Sequence, residues 1–278
     1  MRFFVLSIFG IEIVNTKLQY HKTMKKYFLY ILCVLQTWAL YPQENNQAYQ
    51  DGEWFKFRIH YGWFNASYAT LEVKEKNLHN RPVYHIVGKG KSTGLLDLFF
   101  KVDDNYQTYI DKKTQLPLRF LRKIDEGGHT KNVQIDFNQV EKKAIVHDKK
   151  RETLKEFETK PNVHDMLSVF YFLRNKIDHK TIKEGDKIDI DLFFDNENYR
   201  FRTVFLEKET VKTKFGKIEC LKFRPYVQAG RVFEEEESLT FWVSADENKI
   251  PVKIKAKLAV GSLEADLEEY KNLKHAFN

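Results

Sequence analysis

The feature that most restricts this chain is a side-chain period of two, recurring from Glu53 almost to the end. Phe55, Phe57, Ile59 and Tyr61 alternate with Lys56, Arg58 and His60, and Ala69, Leu71 and Val73 alternate with Thr70, Glu72 and Lys74. Leu118, Phe120, Arg122 and Ile124 share one face of a further strand, and Val133, Ile135 and Phe137 alternate with Gln134, Asp136 and Asn138. The habit continues through residues 188–192, 199–205, 221–223, 239–243 and 252–256. Successive side chains of a strand point to opposite faces, so this pattern marks strands with one buried and one wet face, as in antiparallel sheets. Turn chemistry separates the runs: Glu126-Gly127-Gly128, Asp195-Asn196-Glu197-Asn198, Phe215-Gly216-Lys217 and Asn248-Lys249-Ile250-Pro251. Roughly a dozen strands on short connections predict a mainly β chain: a curled antiparallel sheet or open β-barrel-like domain with one buried central helix.

Two segments break the period. Residues 161–174 (PNVHDMLSVFYFLR) predict that helix, with Asn162 as cap, Asp165 at the positive end of the dipole and Arg174 at the negative end. Met166, Val169, Phe170 and Leu173 follow helical spacing on a segment apolar over most of its circumference, which suits burial behind the sheet. Residues 92–101 (STGLLDLFFK) place Leu95, Leu96, Leu98, Phe99 and Phe100 on a short helix packed on the core or on a partly exposed apolar hook. The Lys-rich stretch 141–160 reads as a polar edge hairpin in preference to a hinge between two sheet halves, and Glu234 to Glu237 as a solvated edge or loop.

The start of the chain reads as a targeting segment, residues 1–43. From Met24, two lysines precede an apolar run over residues 27–40, and polar residues follow from Gln43. That is the plan of a secretory signal peptide over 24–43, with Met24 as the true start, and the run is shorter than the roughly 20 residues of a membrane span. The expectation is a single exported β domain over residues 44–278 with no transmembrane span after cleavage, in the periplasm or on the periplasmic face of the outer membrane. Cys220 is then the one remaining cysteine, so stability must come from the core.

Charge excludes rather than suggests. The formal +7 includes five bases and one acid before residue 44, leaving about +3 with acids and bases interspersed. No basic stripe with interleaved aromatics tracks a phosphate backbone, which argues against nucleic acid. GKGKSTG (residues 88–94) imitates a phosphate loop, but a true one needs glycine where His85 stands and a long following helix. The eight histidines beyond the targeting segment show no metal-ligand spacing, and no nucleophile elbow is present. The sequence therefore assigns no catalytic residue, no cofactor and no metal site.

Several short motifs occur in a distinctive order. Leu116-Pro117 follows a strand, and Asp165-Met166-Leu167-Ser168 leads into Phe172-Leu173-Arg174. Gly216 precedes Cys220, and Trp242-Val243-Ser244-Ala245-Asp246, Ile250-Pro251-Val252 and Gly261-Ser262 close the series. Together they resemble the exported bacterial family called domain of unknown function 3108. The abundance of Lys, Asn and Phe, with a Tyr-Pro-Gln signal exit, is similar to proteins of the Bacteroidetes. The resemblance implies a periplasmic or outer-membrane-associated β protein and carries no catalytic residue across.

Three functions compete at this level. The first is a non-enzymatic envelope protein sheltering an apolar ligand, a lipid or the acyl chain of a lipoprotein. The second is an envelope interaction or assembly protein that binds other envelope proteins. The third is a hydrolase, which would need a carboxylate, a histidine and a hydroxyl in one cleft. The residues for an apolar ligand or partner surface are Trp63, Phe64, Leu95, Leu96, Leu98, Phe99, Phe100, Met166 and Phe170.

Overall fold

The computed structural model describes residues 47–94, 97, 101–226, 239–258 and 260–277, and in it the alternating stretches become strands of one antiparallel sheet. They are β1 (Trp54–Tyr61), β2 (Phe64–Leu78), β3 (Arg81–Ser92), β4 (Asp103–Asp111), β5 (Pro117–Glu126), β6 (His129–Asn138), β7 (Lys143–Asp148), β8 (Thr153–Glu158), β9 (Lys187–Phe194), β10 (Glu197–Thr213), β11 (Gly216–Tyr226), β12 (Leu239–Ser244), β13 (Pro251–Lys257) and β14 (Ser262–Lys271). The fold class is as the alternation predicts: mainly β, one open antiparallel sheet, and among the described residues one α-helix. Residues 1–46, with the expected targeting segment 1–43, residues 227–238 with their glutamate run, and Leu95, Leu96, Leu98, Phe99 and Phe100 lie outside the described residues. No described helix is long and apolar enough to cross a membrane.

Two meanders share the sheet. β1 to β8 run in order to one edge, β14 back to β9 run to the other, and β1 joins them by pairing with β14 from Trp54↔Lys271 to Tyr61↔Leu263. Pro117 and Pro251 open β5 and β13, where a missing N–H costs the ladder least. The Lys-rich stretch is the β7–β8 hairpin, and β8 is an edge strand whose side chains face solvent except at Phe157.

The two edges meet at a narrow seam. Beyond β8 the chain turns through Pro161 and Asn162, and His164 forms one parallel bridge to Leu192 of β9. His164 N–H donates to Asp191 O at 2.9 Å, and Phe193 N–H donates to His164 O at 2.9 Å. Asn198 of β10 clasps the same seam: its Nδ2 donates to Glu158 O at 2.9 Å, and its Oδ1 accepts from Lys160 N–H at 3.0 Å.

That bridge explains where the helix begins. α1 spans Ser168–Lys176, several residues later than the spacing predicts. Asn162 sits at φ 55° in a turn, and His164 is held extended by β9, so neither can enter the helix. Asp165 supplies the cap instead: its Oδ1 accepts from Leu167 N–H and Ser168 N–H, both at 2.9 Å, while Ser168 Oγ accepts from Asp165 N–H at 2.9 Å. Met166, expected on the apolar face, lies in this capping turn and is 42 % exposed.

The helix fills the interior of the curl. Val169, Leu173 and Ile177 pack with Ile190, Phe205, Leu221, Phe223 and Val243 from β9 to β12. Tyr171 packs on Val73, Tyr84, Ile86 and Ile110 from β2 to β4, together with Ala48 and Tyr49. Arg174 lies in the last turn of the helix, as read, and is also buried at 1 % exposure. Its Nη1 and Nη2 donate to the two oxygens of Glu53 at 2.6 and 2.7 Å, Nη2 also to Ala48 O at 3.1 Å, and Nε to Asn248 O at 3.0 Å. The rings of Tyr49, Phe55, Phe170 and Tyr171 surround the guanidinium at 5.2–5.9 Å. One side chain thus ties helix, first strand, amino-terminal strap and the β12–β13 loop together.

Candidate functional site

Side chains of the helix pack directly on strands of both meanders. The strands from β5 to β8 and the β9–β10 hairpin enclose an open cleft of about 430 Å³. Its apolar lining is Phe120, Val133, Ile135, Val146 and Phe194. Register puts these on one face: Ile135 pairs with Phe120 on one side and with Val146 on the other. Phe120, Ile135 and Val146 continue into a core cluster with Phe137, Ala144 and Phe193, so the floor is anchored in packed structure.

Cations stand over that floor. The lining holds Arg122, Lys131, Lys150, Arg151 and Lys155 against two carboxylates, Asp148 and Asp195. Asp195 and Asn196 form the β9–β10 turn with φ of 48° and 70°, the left-handed pair of a tight hairpin that Asp and Asn tolerate. The turn presents Asp195 Oδ1 to Arg122 Nη1 at 2.9 Å and to Lys131 Nζ at 3.0 Å. Arg122 also lies 4.9 Å from the centre of the Phe194 ring and 5.8 Å from that of Tyr106, while burial raises the Tyr106 phenol pKa. The Arg122 Nε is buried without a hydrogen-bond partner among the described residues, a donor left for something else to satisfy. One carboxylate shared by two cations leaves this end of the cleft electropositive.

A second cleft of about 480 Å³ lies between β4, β5 and β6 and is lined by Asp103, Asn105, Lys123, Ile124, Asp125 and Thr130, and it shares Lys131 and Lys150 with the first. Beside it the Asp104 carboxyl is pushed up to about 6, chiefly by burial and then by Glu126.

A histidine, a hydroxyl and a carboxylate do converge, at the start of α1. His164 Nδ1 is 3.3 Å from Ser168 Oγ, and Thr108 Oγ1 donates to Asp165 Oδ2 at 2.6 Å. Yet His164 is 1 % exposed and Asp165, Ser168 and Thr108 are fully buried. Burial lowers the His164 pKa to about 4 and raises that of Asp165 to about 6. The group is a sealed helix cap, with no cleft in which a substrate could meet it.

Two further groups complete the chemistry. Cys220 is fully buried, and burial, aided by Asp246 and Glu209, raises its thiol to about 12, far from a reactive thiolate. His60, Glu264 and Asp266, from paired β1 and β14, bring ligand atoms within 4.8 Å of one another. Their carboxylates are already engaged: Lys253 and Lys255 on Glu264, and His60 and Arg58 on Asp266.

Of the residues singled out by sequence, the structure brings Trp63 and Phe64 together, ring centres 5.7 Å apart, at the β1–β2 turn. Phe170 packs against the Tyr49–Tyr171 cluster, away from that pair, and Met166 faces solvent at the cap. The cleft residues escaped the sequence reading because five separate segments contribute them. One signal was present: Arg122 stands in the apolar register between Phe120 and Ile124, where a strand with a dry face has no use for a charge.

The sequence profile described as "Protein of unknown function (DUF3108)" matches residues 56–268. No curated protein matches the chain. Among solved structures, the chain is similar to a β-barrel-like protein of domain of unknown function DUF1849 from Brucella abortus, with TM-score 0.54 and 11 % identity over 80 % of this chain and 98 % of that one. It also matches a DUF1089 family protein from Pseudomonas aeruginosa, with TM-score 0.35 and 9 % identity over 66 % of this chain and 87 % of that one. The first likeness supports the fold alone.

Proposed function

This chain belongs to the DUF3108 family, and from its cleft we propose that it is a non-enzymatic cell-envelope protein that shelters an amphiphile, an acyl chain carrying an anionic head. The observation that carries this reading is the apolar floor of Phe120, Val133, Ile135, Val146 and Phe194 under a cationic rim, in a volume suited to a small ligand. An acyl chain on that floor removes apolar surface from water at about 25 cal/mol per Å². An anionic head is met at the rim by Lys131 and Lys155. The ligand is a lipid or the acyl chain of a lipoprotein, and the protein works in the periplasm or on the periplasmic face of the outer membrane after its targeting segment is removed. The signal-like pattern before residue 44 supports that location.

Titration with a fluorescent long-chain fatty acid, beside its methyl ester, tests the reading. The acid should bind saturably, the ester more than tenfold more weakly at low salt. Lys131→Glu with Lys155→Glu should erase that preference, and Val146→Arg should abolish binding of both. Equal affinity for acid and ester, or binding indifferent to Val146→Arg in a folded variant, would refute the assignment.

A further inference from the structure

Two of the cleft's cations are fixed side by side by the sheet itself. Arg122 pairs with Val133 and Lys131 with Ile124 across the β5–β6 ladder, so Arg122 and Lys131 are diagonal neighbours on one face. The carboxylate they share comes from elsewhere: Asp195 belongs to the β9–β10 turn of the other meander. Among the described residues no other carboxylate forms an ion pair with either cation.

The turn does not need that carboxylate. Asp148, at the neighbouring β7–β8 turn, accepts from Lys150 N–H and Arg151 N–H at 3.0 Å each, the usual service of an Asp to its own turn. Asp195 makes no such local bond among the described residues, and its carboxylate accepts only from the two cleft cations. Its φ of 48° is equally open to Asn, so a neutral residue would serve the hairpin as well. The side chains of Lys131 and Asp195 are 30 % and 33 % exposed, so a solute reaches the contact without any unfolding. Phe194, the chain neighbour of Asp195, belongs to the apolar floor. The carboxylate therefore stands where floor and cations meet, the place that the head of an acyl ligand requires.

We infer, resting on the amphiphile reading of the cleft, that Asp195 is a built-in competitor for the ligand's anionic head: its Oδ1 holds the position between Arg122 Nη1 and Lys131 Nζ that an anionic oxygen of the head takes on binding. With a fatty acid the exchange conserves charge, one carboxylate replacing another while Asp195 returns to water. A small anion without a chain loses this contest, because the fold holds Asp195 at a high effective concentration. An acyl ligand adds the burial of its chain on the floor and wins. Asp195 thus makes the cleft select amphiphiles over free anions.

Titration of a fluorescent long-chain fatty acid and its methyl ester into wild type and Asp195→Asn, at low salt, tests the assignment. Asn keeps the turn and removes the charge, so acid affinity should rise about fivefold, the upper worth of one partly exposed ion pair, while ester affinity stays as in wild type. In a Lys131→Gln background, where one contested cation is missing, the same change should gain clearly less. In wild type, the side-chain carboxyl carbon resonance of Asp195 should shift on saturation with acid and stay in place with ester, a readout that needs no variant. The competitor role is overturned if folded Asp195→Asn binds the acid no better than wild type, or gains equally for acid and ester; either result leaves Asp195 as a mere fastener of the hairpin. It is overturned as well if the Asp195 resonance ignores bound acid. Equal binding of acid and ester by wild type would remove the cleft reading and the competitor with it, whereas a wild type that prefers the acid without any effect at Asp195 removes the competitor alone.

Discussion

Replacing Arg174 by Met should be among the most damaging single changes this molecule can suffer, and the structure says why. The guanidinium is 1 % exposed, and the Glu53 carboxylate against it is wholly buried. Met keeps much of the apolar stem but deletes every donor, stranding a carboxylate and the carbonyls of Ala48 and Asn248. Removing one partner of a buried ion pair costs roughly 3–5 kcal/mol, because the other charge is left uncompensated. In a domain whose whole stability is of order 5–15 kcal/mol, that is at least about a fifth of the total. The double change Arg174→Met with Glu53→Leu removes both charges together and should cost clearly less than the sum of the single changes. An exposed control, Asp189→Ala, breaks the bidentate pair with Arg202 and should cost below about 1 kcal/mol. Urea unfolding followed by Trp fluorescence at neutral pH and fixed salt measures all four. A Glu53–Arg174 double mutant costing the full sum, or an Arg174→Met loss no larger than the exposed control, would show that the pair does not lock the core.

Two other outcomes follow from buried titratable groups. His164, held down to about 4 by burial, contributes stability that is present above its ordinary value near 6.5 and lost as pH falls through 4. Asp165, pushed up to about 6 by burial, contributes stability that is present below about 3.8 and lost as pH rises through 6. Each is worth about 3 kcal/mol with opposite slope, so between pH 4 and 6 the pair should nearly cancel. Relative to wild type, His164→Gln should lose stability as pH rises across that window and Asp165→Asn as it falls, measured by denaturant midpoints; slopes of one sign in both variants would contradict the burial argument. Cys220, raised to about 12, should resist iodoacetamide in the native protein at pH 8 and react once urea unfolds it; rapid native alkylation would mean the β11 region opens readily.

Local pattern and long-range pairing divide what could be read in advance. The strands were legible because alternation is a local property, and residues 141–160 announced an edge hairpin through their lysines alone. The start of α1 was not legible, since Asn162 is a sound cap by its own chemistry and only the bridge between His164 and β9 displaces the helix to Ser168. Arg174 does stand at the dipole end, but its burial was hidden because its partner Glu53 lies 121 positions away. The cleft was hidden for a related reason: its floor reads as ordinary strand interior at Phe120, Ile135 and Val146, and becomes a site only when the β9–β10 turn arrives over it. Arg122, a charge in an apolar register, was the single local hint. Trp63 was legible as a candidate from its type and turn position, whereas the tie from its neighbour Tyr61 to Val260 depends on β1 meeting β14.

The seam between β8 and β9 has a mechanical implication. Neighbouring strands of the sheet share ladders of at least four pairs, but here, among the described residues, main-chain contact amounts to one bridge, reinforced by the Asn198 amide. Breathing motions of the curled sheet should therefore concentrate on this line, where the fewest bonds must break. Thr153 and Lys155 stand on one side of it and Phe194 to Asn196 on the other, and both sets border the cleft. The weakest suture of the wall is thus also an edge of the chamber, and a small parting there enlarges the room for a guest while the rest of the wall stays closed.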